Sequence, residues 1–109
     1  DIAVMKLKHV LSNEVATLNS VGNVPTMGAK LFVMGFGLVN DDTRSDTLQG
    51  LYYDFVQLCQ NRFDEYNPTT QLCADATPQQ GTCAGDVGSP AVLDGTKTVV
   101  GLSSFSDNF

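Results

Sequence analysis

Positive charge is scarce in this 109-residue sequence, where six Lys and Arg stand against twelve Asp and Glu and the formal net charge is −6. A nucleic-acid partner is therefore not expected, because phosphates require clustered Lys and Arg. Long apolar runs are also missing, since the longest, over 31–39, contains two glycines and is too short to cross a bilayer. With 42% hydrophobic and 17% charged residues, one folded domain is expected rather than disorder.

Cysteine is scarce as well, and three is an odd number. In a cytosolic protein these residues would remain thiols, whereas in a secreted protein they suggest one disulfide and one unpaired cysteine. Cys59 and Cys73 lie 14 positions apart, and closing such a loop with a disulfide contributes about 3 kcal/mol. The count alone leaves secretion and cytosol open. A basic and then apolar targeting segment does not open the sequence, so a mature segment or a fragment is expected.

Metal and cofactor sites are not expected. The three cysteines and the single histidine, His9, lack the spacing of a zinc finger. Asp41, Asp42 and Asp46 form an acidic loop without a calcium-binding pattern, so a solvated surface is the simpler interpretation. His9 follows the first predicted strand beside Lys8 and is expected to lie on the surface.

Short β-rich segments separated by Gly, Pro and Asp predict an all-β sandwich or barrel. Asp54 can cap a short helix over 55–61, because its carboxylate can accept from the open N–H groups of a first turn. Asp94-Gly95 between two β-rich segments predicts a hairpin. Surface connections are expected over 11–29 and 40–46. Strands are expected over residues 1–7, 30–38, 47–53, 71–74, 91–93 and 98–100.

One segment carries a specific resemblance. Cys83-Ala84-Gly85-Asp86-Val87-Gly88-Ser89-Pro90 resembles the active-site pattern C-x-G-D-S-G-G-P of the trypsin/chymotrypsin-like serine proteases. Two positions differ: Val87 stands where the family has its nucleophilic Ser, and Ser89 replaces a Gly.

Other segments resemble the same family in the same order along the chain. Asp1-Ile2-Ala3 opens a segment that resembles D-I-A-L-L-K-L, which carries the triad aspartate, and Gly35-Phe36-Gly37 resembles the G-W-G turn. Leu72-Cys73-Ala74 resembles M-x-C-A, and 101–105 resembles G-I-V-S-W, which walls the primary specificity pocket. The resemblance implies a partial peptidase domain over 1–109. It would be the C-terminal barrel of a double-barrel fold, an antiparallel Greek-key barrel left incomplete, with the N-terminal barrel outside the chain.

The resemblance also implies roles for the residues of the catalytic centre. Asp1 would take the position of the triad acid, while Gly85 and Val87 would supply the backbone N–H groups of the oxyanion hole. Asp86 would be the carboxylate that pairs, in active members, with a newly freed N-terminal amine. Without that partner its loop is expected to be mobile or Asp86 to be solvated, because an unpaired buried charge is costly.

The specificity pocket follows by the same resemblance. Gly81 would form a base without a carboxylate, as in chymotrypsin- or elastase-like members. Ser104, Phe105 and Ser106 would form the wall, and Ser106 stands where a Gly usually opens the pocket.

The resemblance further bears on cysteine pairing. Cys59 and Cys73 are predicted to form a disulfide, whereas the family partner of Cys83 would lie outside this chain and leave Cys83 unpaired here. Leu31 and Leu93 stand where the family often has another disulfide. Since both are apolar, the two leucines are expected to fill the space between adjacent strands.

Val87 decides the predicted function. An isopropyl group has no lone pair with which to attack a carbonyl, and loss of the nucleophilic Ser costs a serine protease about 10⁶-fold in turnover. Val87 is expected to be a packed apolar residue that seals a disused site. Ser89 would face another way, and His9 lies too close to Asp1 to be the triad histidine.

We therefore expect a secreted, non-catalytic protease homologue that binds a protein or peptide. One alternative is that this is a partial sequence of an active chymotrypsin- or elastase-like endopeptidase. Another is a degenerate copy without function, which predicts a chain that does not fold stably.

Overall fold

The computed structural model describes residues 2–20, 22–40, 42–56, 59 and 62–106. This described part is all-β and contains no helix. Consequently no helix in it is long and apolar enough to cross a membrane. Its strands are β1 Thr17–Leu18, β2 Lys30–Gly35, β3 Leu38–Asn40, β4 Thr43–Arg44, β5 Gln49–Val56, β6 Cys73–Ala76, β7 Pro90–Leu93 and β8 Thr98–Leu102.

Six of these strands form one sheet in the order β1-β8-β7-β2-β5-β6, and β3 and β4 form a separate two-stranded ribbon. Neighbouring strands of the sheet are antiparallel except β1 and β8, which are parallel. The sheet is open, with β1 and β6 at its edges. The predicted all-β, antiparallel and incomplete architecture is therefore confirmed.

Two predicted elements are wrong. Residues 2–7 form no strand and are exposed, because no other strand of the described part pairs with them. The helix predicted over 55–61 does not begin, because Phe55 and Val56 pair with Ala74 and Cys73 across β5 and β6. Positions 57, 58, 60 and 61 of that helix lie outside the described residues. Asp54, the expected helix cap, instead forms a cross-strand ion pair of 2.7 Å with Lys30.

The hairpin at Asp94-Gly95 is confirmed. The Thr96 N–H donates to the Leu93 carbonyl at 3.1 Å, and Gly95 has a φ of 72°, in the left-handed region that favours glycine. Other boundaries move by a few residues. The strand predicted over 30–38 divides at the 35–37 turn into β2 and β3, and the loop predicted over 40–46 contains β4.

The most buried side chains lie near the middle of the sheet and beside the disulfide. Leu31 is 2% exposed and Phe55 4%. The structure pairs Cys59 with Cys73 in a disulfide, with Cα atoms 5.8 Å apart. This bond ties the segment after β5 to the edge strand β6.

Leu31 and Leu93 are direct partners between β2 and β7. The Asp94 N–H donates to the Lys30 carbonyl at 3.0 Å, so the ladder hydrogen bond lies outside the leucine pair rather than within it. In such a non-hydrogen-bonded pair the side chains approach most closely. The two leucines therefore lie side by side between adjacent strands, as predicted.

Replacing both Leu31 and Leu93 with Cys is expected to give a disulfide, because Cα atoms of a non-hydrogen-bonded pair lie about 4.5 Å apart, within disulfide range. Peptide mapping of the oxidised protein would identify the cross-link. The matched control is Leu31→Cys with Val92→Cys. Since Val92 points to the opposite face from Leu93, this control should not cross-link. A cross-link in the control but not in the first variant would contradict the register.

Candidate functional site

Residues 83–89, here called the site turn, lie between β6 and β7 and form two successive tight turns. The Asp86 N–H donates to the Cys83 carbonyl at 3.0 Å, and the Ser89 N–H donates to the Asp86 carbonyl at 2.9 Å. Gly85 and Gly88 have φ values of 96° and 89°. Other residues rarely adopt these values, so the two glycines allow the site turn to form.

Hydrogen bonds to Asp86 connect the site turn to the glycine turn, residues 35–37. Asp86 Oδ1 accepts from the Gly37 N–H at 2.8 Å, and its Oδ2 accepts from the Cys83 N–H at 3.1 Å. The residue is half-buried, so one of the two expected alternatives, a solvated Asp86, does not hold. The physical reason is that two backbone donors within the chain stabilise the carboxylate, and hydrogen bonds to a charged acceptor are strong.

The glycines of the 35–37 turn leave the space that Asp86 fills. A Cβ added to Gly37 would lie 2.5 Å from Asp86 Cγ, and one added to Gly35 would lie 2.7 Å from Ser89 Oγ. The Leu38 N–H also donates to the Ala84 carbonyl at 3.0 Å. The β3–β4 ribbon is therefore held directly against the site turn.

Val87 is 48% exposed. The expectation that it is packed and seals the site is wrong for the described part of the chain, because the site turn carries the side chain outward between Gly85 and Gly88. The N–H groups of Gly85 and Val87, predicted to form the oxyanion hole, have no hydrogen-bond acceptor among the described residues.

The residues predicted for the specificity pocket line two adjoining cavities, which share Val33, Gln79 and Thr82. Gly81 lines a cavity of about 480 Å³ that also contains Asp86. Ser104, Phe105 and Ser106 line a different cavity of about 810 Å³. Phe105 is 43% exposed. Its ring meets Phe63 edge to face with centroids 5.1 Å apart.

The remaining predicted residues are Asp1, His9 and Cys83. Asp1 lies outside the described residues. His9 is exposed in the N-terminal segment, as predicted. Cys83 is half-buried and unpaired. The described residues contain no group of three or more His, Cys, Asp or Glu side chains that could hold a metal ion.

Sequence reasoning missed two residues near the site. The Thr82 N–H donates to Tyr53 Oη at 2.5 Å, so β5 fixes the approach to the site turn. Arg44, on β4, brings Nη2 to 3.8 Å from a Cβ added to Gly85. The available signal for Arg44 was its position as the one cation of the 40–46 segment. No local pattern indicated Tyr53.

The comparisons with known proteins point to one family. The trypsin family model matches residues 1–109. The thrombin-like enzyme BjussuSP-1 of Bothrops jararacussu is 29% identical over 102 residues, which cover 87% of this chain and 44% of that enzyme. Kallikrein-4 of Homo sapiens is 26% identical over 110 residues, which cover 96% of this chain and 42% of kallikrein-4. The chain thus spans less than half the length of these curated relatives. No solved structure matches it.

Proposed function

Because the chain belongs to the trypsin family, we propose that it is part of a member that has lost catalysis and acts by binding a protein or peptide. The observation that carries this proposal is Val87, which lies on the site turn where the family pattern has its nucleophilic Ser. Its side chain can neither attack a carbonyl nor accept activation by a histidine.

The retained scaffold supports binding rather than loss of all function. Asp86 still joins the site turn to the 35–37 turn through two backbone N–H groups. The N–H groups of Gly85 and Val87 still lack an acceptor among the described residues. Half-exposed Phe105 is the kind of aromatic contact that provides binding energy at low entropic cost.

The N-terminal segment supports a second part of the proposal. Its apolar side chains are exposed, Val4 by 97% and Val10 by 99%. Contiguous exposed apolar residues mark an interaction surface, and the chain spans only 44% of one relative and 42% of another. We propose that the chain is a C-terminal barrel region and that an N-terminal barrel covers this segment.

Secretion is the proposed location. The Cys59–Cys73 disulfide supports it, because structural disulfides persist mainly in oxidising compartments. The ligand would then be an extracellular protein or peptide, as for a decoy or an adaptor in a protease cascade.

A fluorophosphonate probe tests the loss of catalysis. We expect intact-mass spectra of the protein from its source to show a chain heavier than 11.7 kDa and no probe adduct, because position 87 has no hydroxyl. Peptide-binding measurements on the same preparation then test the second half of the proposal.

The opposite result has a defined meaning. An adduct that disappears after heat denaturation would show a folding-dependent activated serine and would favour an active chymotrypsin- or elastase-like endopeptidase. The matched variant Ser89→Ala would then show whether Ser89 is that serine. The active endopeptidase is kept as the second candidate function because one relative is named as an enzyme.

A further inference from the structure

Arg44 differs from the other described cations beyond the N-terminal segment. It is exposed and forms no ion pair or hydrogen bond with the described residues. The two lysines of the N-terminal segment lie outside the sheet. The remaining cations each meet a carboxylate, in the pairs Lys30–Asp54, Arg62–Asp75 and Lys97–Glu14.

The fold directs Arg44 toward the site turn. Its Nη2 and Cζ lie 3.8 and 3.9 Å from a Cβ added to Gly85, and that Cβ would lie 3.3 Å from Gly37 Cα. The Leu38–Ala84 backbone hydrogen bond of 3.0 Å holds the ribbon that carries Arg44 in this position. The guanidinium therefore lies beside the turn as a consequence of backbone contacts.

Asp86 forms no ion pair with Arg44. Its two carboxylate oxygens accept from the N–H groups of Gly37 and Cys83. Arg44, which has no ion pair among the described residues, thus lies next to a turn whose Gly85 and Val87 N–H groups have no acceptor in the described part of the chain.

We propose that Arg44 and the N–H groups of the site turn bind a carboxylate of the peptide or protein ligand, an inference that rests on the proposed binding function. A guanidinium presents planar donors that match a carboxylate, and backbone N–H groups in turns bind anions. A neutral peptide carbonyl would not need the added positive charge. The carboxylate comes from a peptide C-terminus or from an Asp or Glu side chain of the ligand.

The test compares peptides that differ in one charge. Acetyl-Ala-Ala-Phe with a free carboxylate and the same peptide as its C-terminal amide are titrated into the full-length protein by calorimetry. Acetyl-Ala-Glu-Ala amide is the third probe, because its only carboxylate is on a side chain. We expect a carboxylate-bearing peptide to bind about tenfold more tightly than the neutral amide, as for a hydrogen bond to a charged group.

Two variants of Arg44 and one control variant test whether Arg44 causes the preference for carboxylate-bearing peptides. Arg44→Gln should bring the affinity for the carboxylate peptides down to that for the neutral amide, and Arg44→Lys should retain part of the preference, because a lysine keeps the charge without the planar donors. Lys97→Gln, the matched control, removes one positive charge from the β7–β8 turn and should keep the full preference. High salt should weaken the preference, because exposed charges are screened.

The three peptides distinguish the two sources of the carboxylate, and they separate failure of this inference from failure of the binding function. If the free C-terminus alone is preferred, the ligand's terminus is the source, and if the Glu peptide is preferred, a side chain is. Equal binding of all three peptides to the unchanged protein, or a preference that survives Arg44→Gln, overturns this inference and leaves the binding function standing. Failure of every peptide to bind overturns both.

Discussion

Replacing Gly37 with Ala is expected to lower the free energy of unfolding by about 3 kcal/mol. Gly37 is buried and its φ is not in the left-handed region, so the alanine backbone is not strained. The cost comes from the new Cβ, which would lie 2.5 Å from Asp86 Cγ. The carboxylate must then move, and it loses the 2.8 Å hydrogen bond from the Gly37 N–H. Urea denaturation of the full-length protein measures this change in the free energy of unfolding. The comparison requires that the variant and the unchanged protein have the same m value.

Gly101→Ala is the matched control. A Cβ at Gly101 would lie 3.7 Å from Leu72 Cδ1, an ordinary contact, so we expect a change within about 0.5 kcal/mol. A double-mutant cycle sharpens the argument, because in an Asp86→Ala background the added methyl of Gly37→Ala meets no carboxylate and should cost much less. An undiminished cost in that background would show that Asp86 is not the cause.

The sequence predicted those parts of the fold that local chemistry determines. Asp94-Gly95 has the residues that a tight turn requires, and the strands on either side formed. The helix over 55–61 failed because a local cap, Asp54, competed with pairing to β6, a strand that begins at Cys73. Local propensity is weaker than such non-local pairing, and one sequence window does not contain both partners.

The candidate site, like the fold, could be predicted from the sequence only in part. The glycines of the site turn could be predicted because the motif itself contains them. The contacts that position the turn could not, since Gly37 and Asp86 are 49 positions apart and Tyr53 and Thr82 are 29 positions apart. Arg44 was grouped with an acidic surface loop because its neighbours are acidic. Only the ribbon formed by β3 and β4 places it beside Gly85.

Removing the Cys59–Cys73 disulfide with the double variant Cys59→Ala and Cys73→Ala is expected to lower the free energy of unfolding by about 3 kcal/mol. The bond closes a loop of 14 positions, so its loss gives the unfolded chain more conformational freedom. Both residues are buried, with exposures of 6% and 4%, so the loss of packing acts in the same direction. Urea denaturation of the full-length protein provides the measurement, with each variant unfolded under non-reducing conditions.

Cys83→Ser is the control for this change, because Cys83 is unpaired within the described residues and only half-buried. It should alter the free energy of unfolding much less than the double variant. The disulfide also ties the chain near Phe63 to β6, since the Phe63 N–H donates to the Cys59 carbonyl at 3.3 Å. We therefore expect the double variant also to weaken the proposed peptide binding, because Phe63 packs against Phe105 in the wall of one cavity. Equal stability of the double variant and the unchanged protein would show that β5 and β6 hold this edge of the sheet without the disulfide.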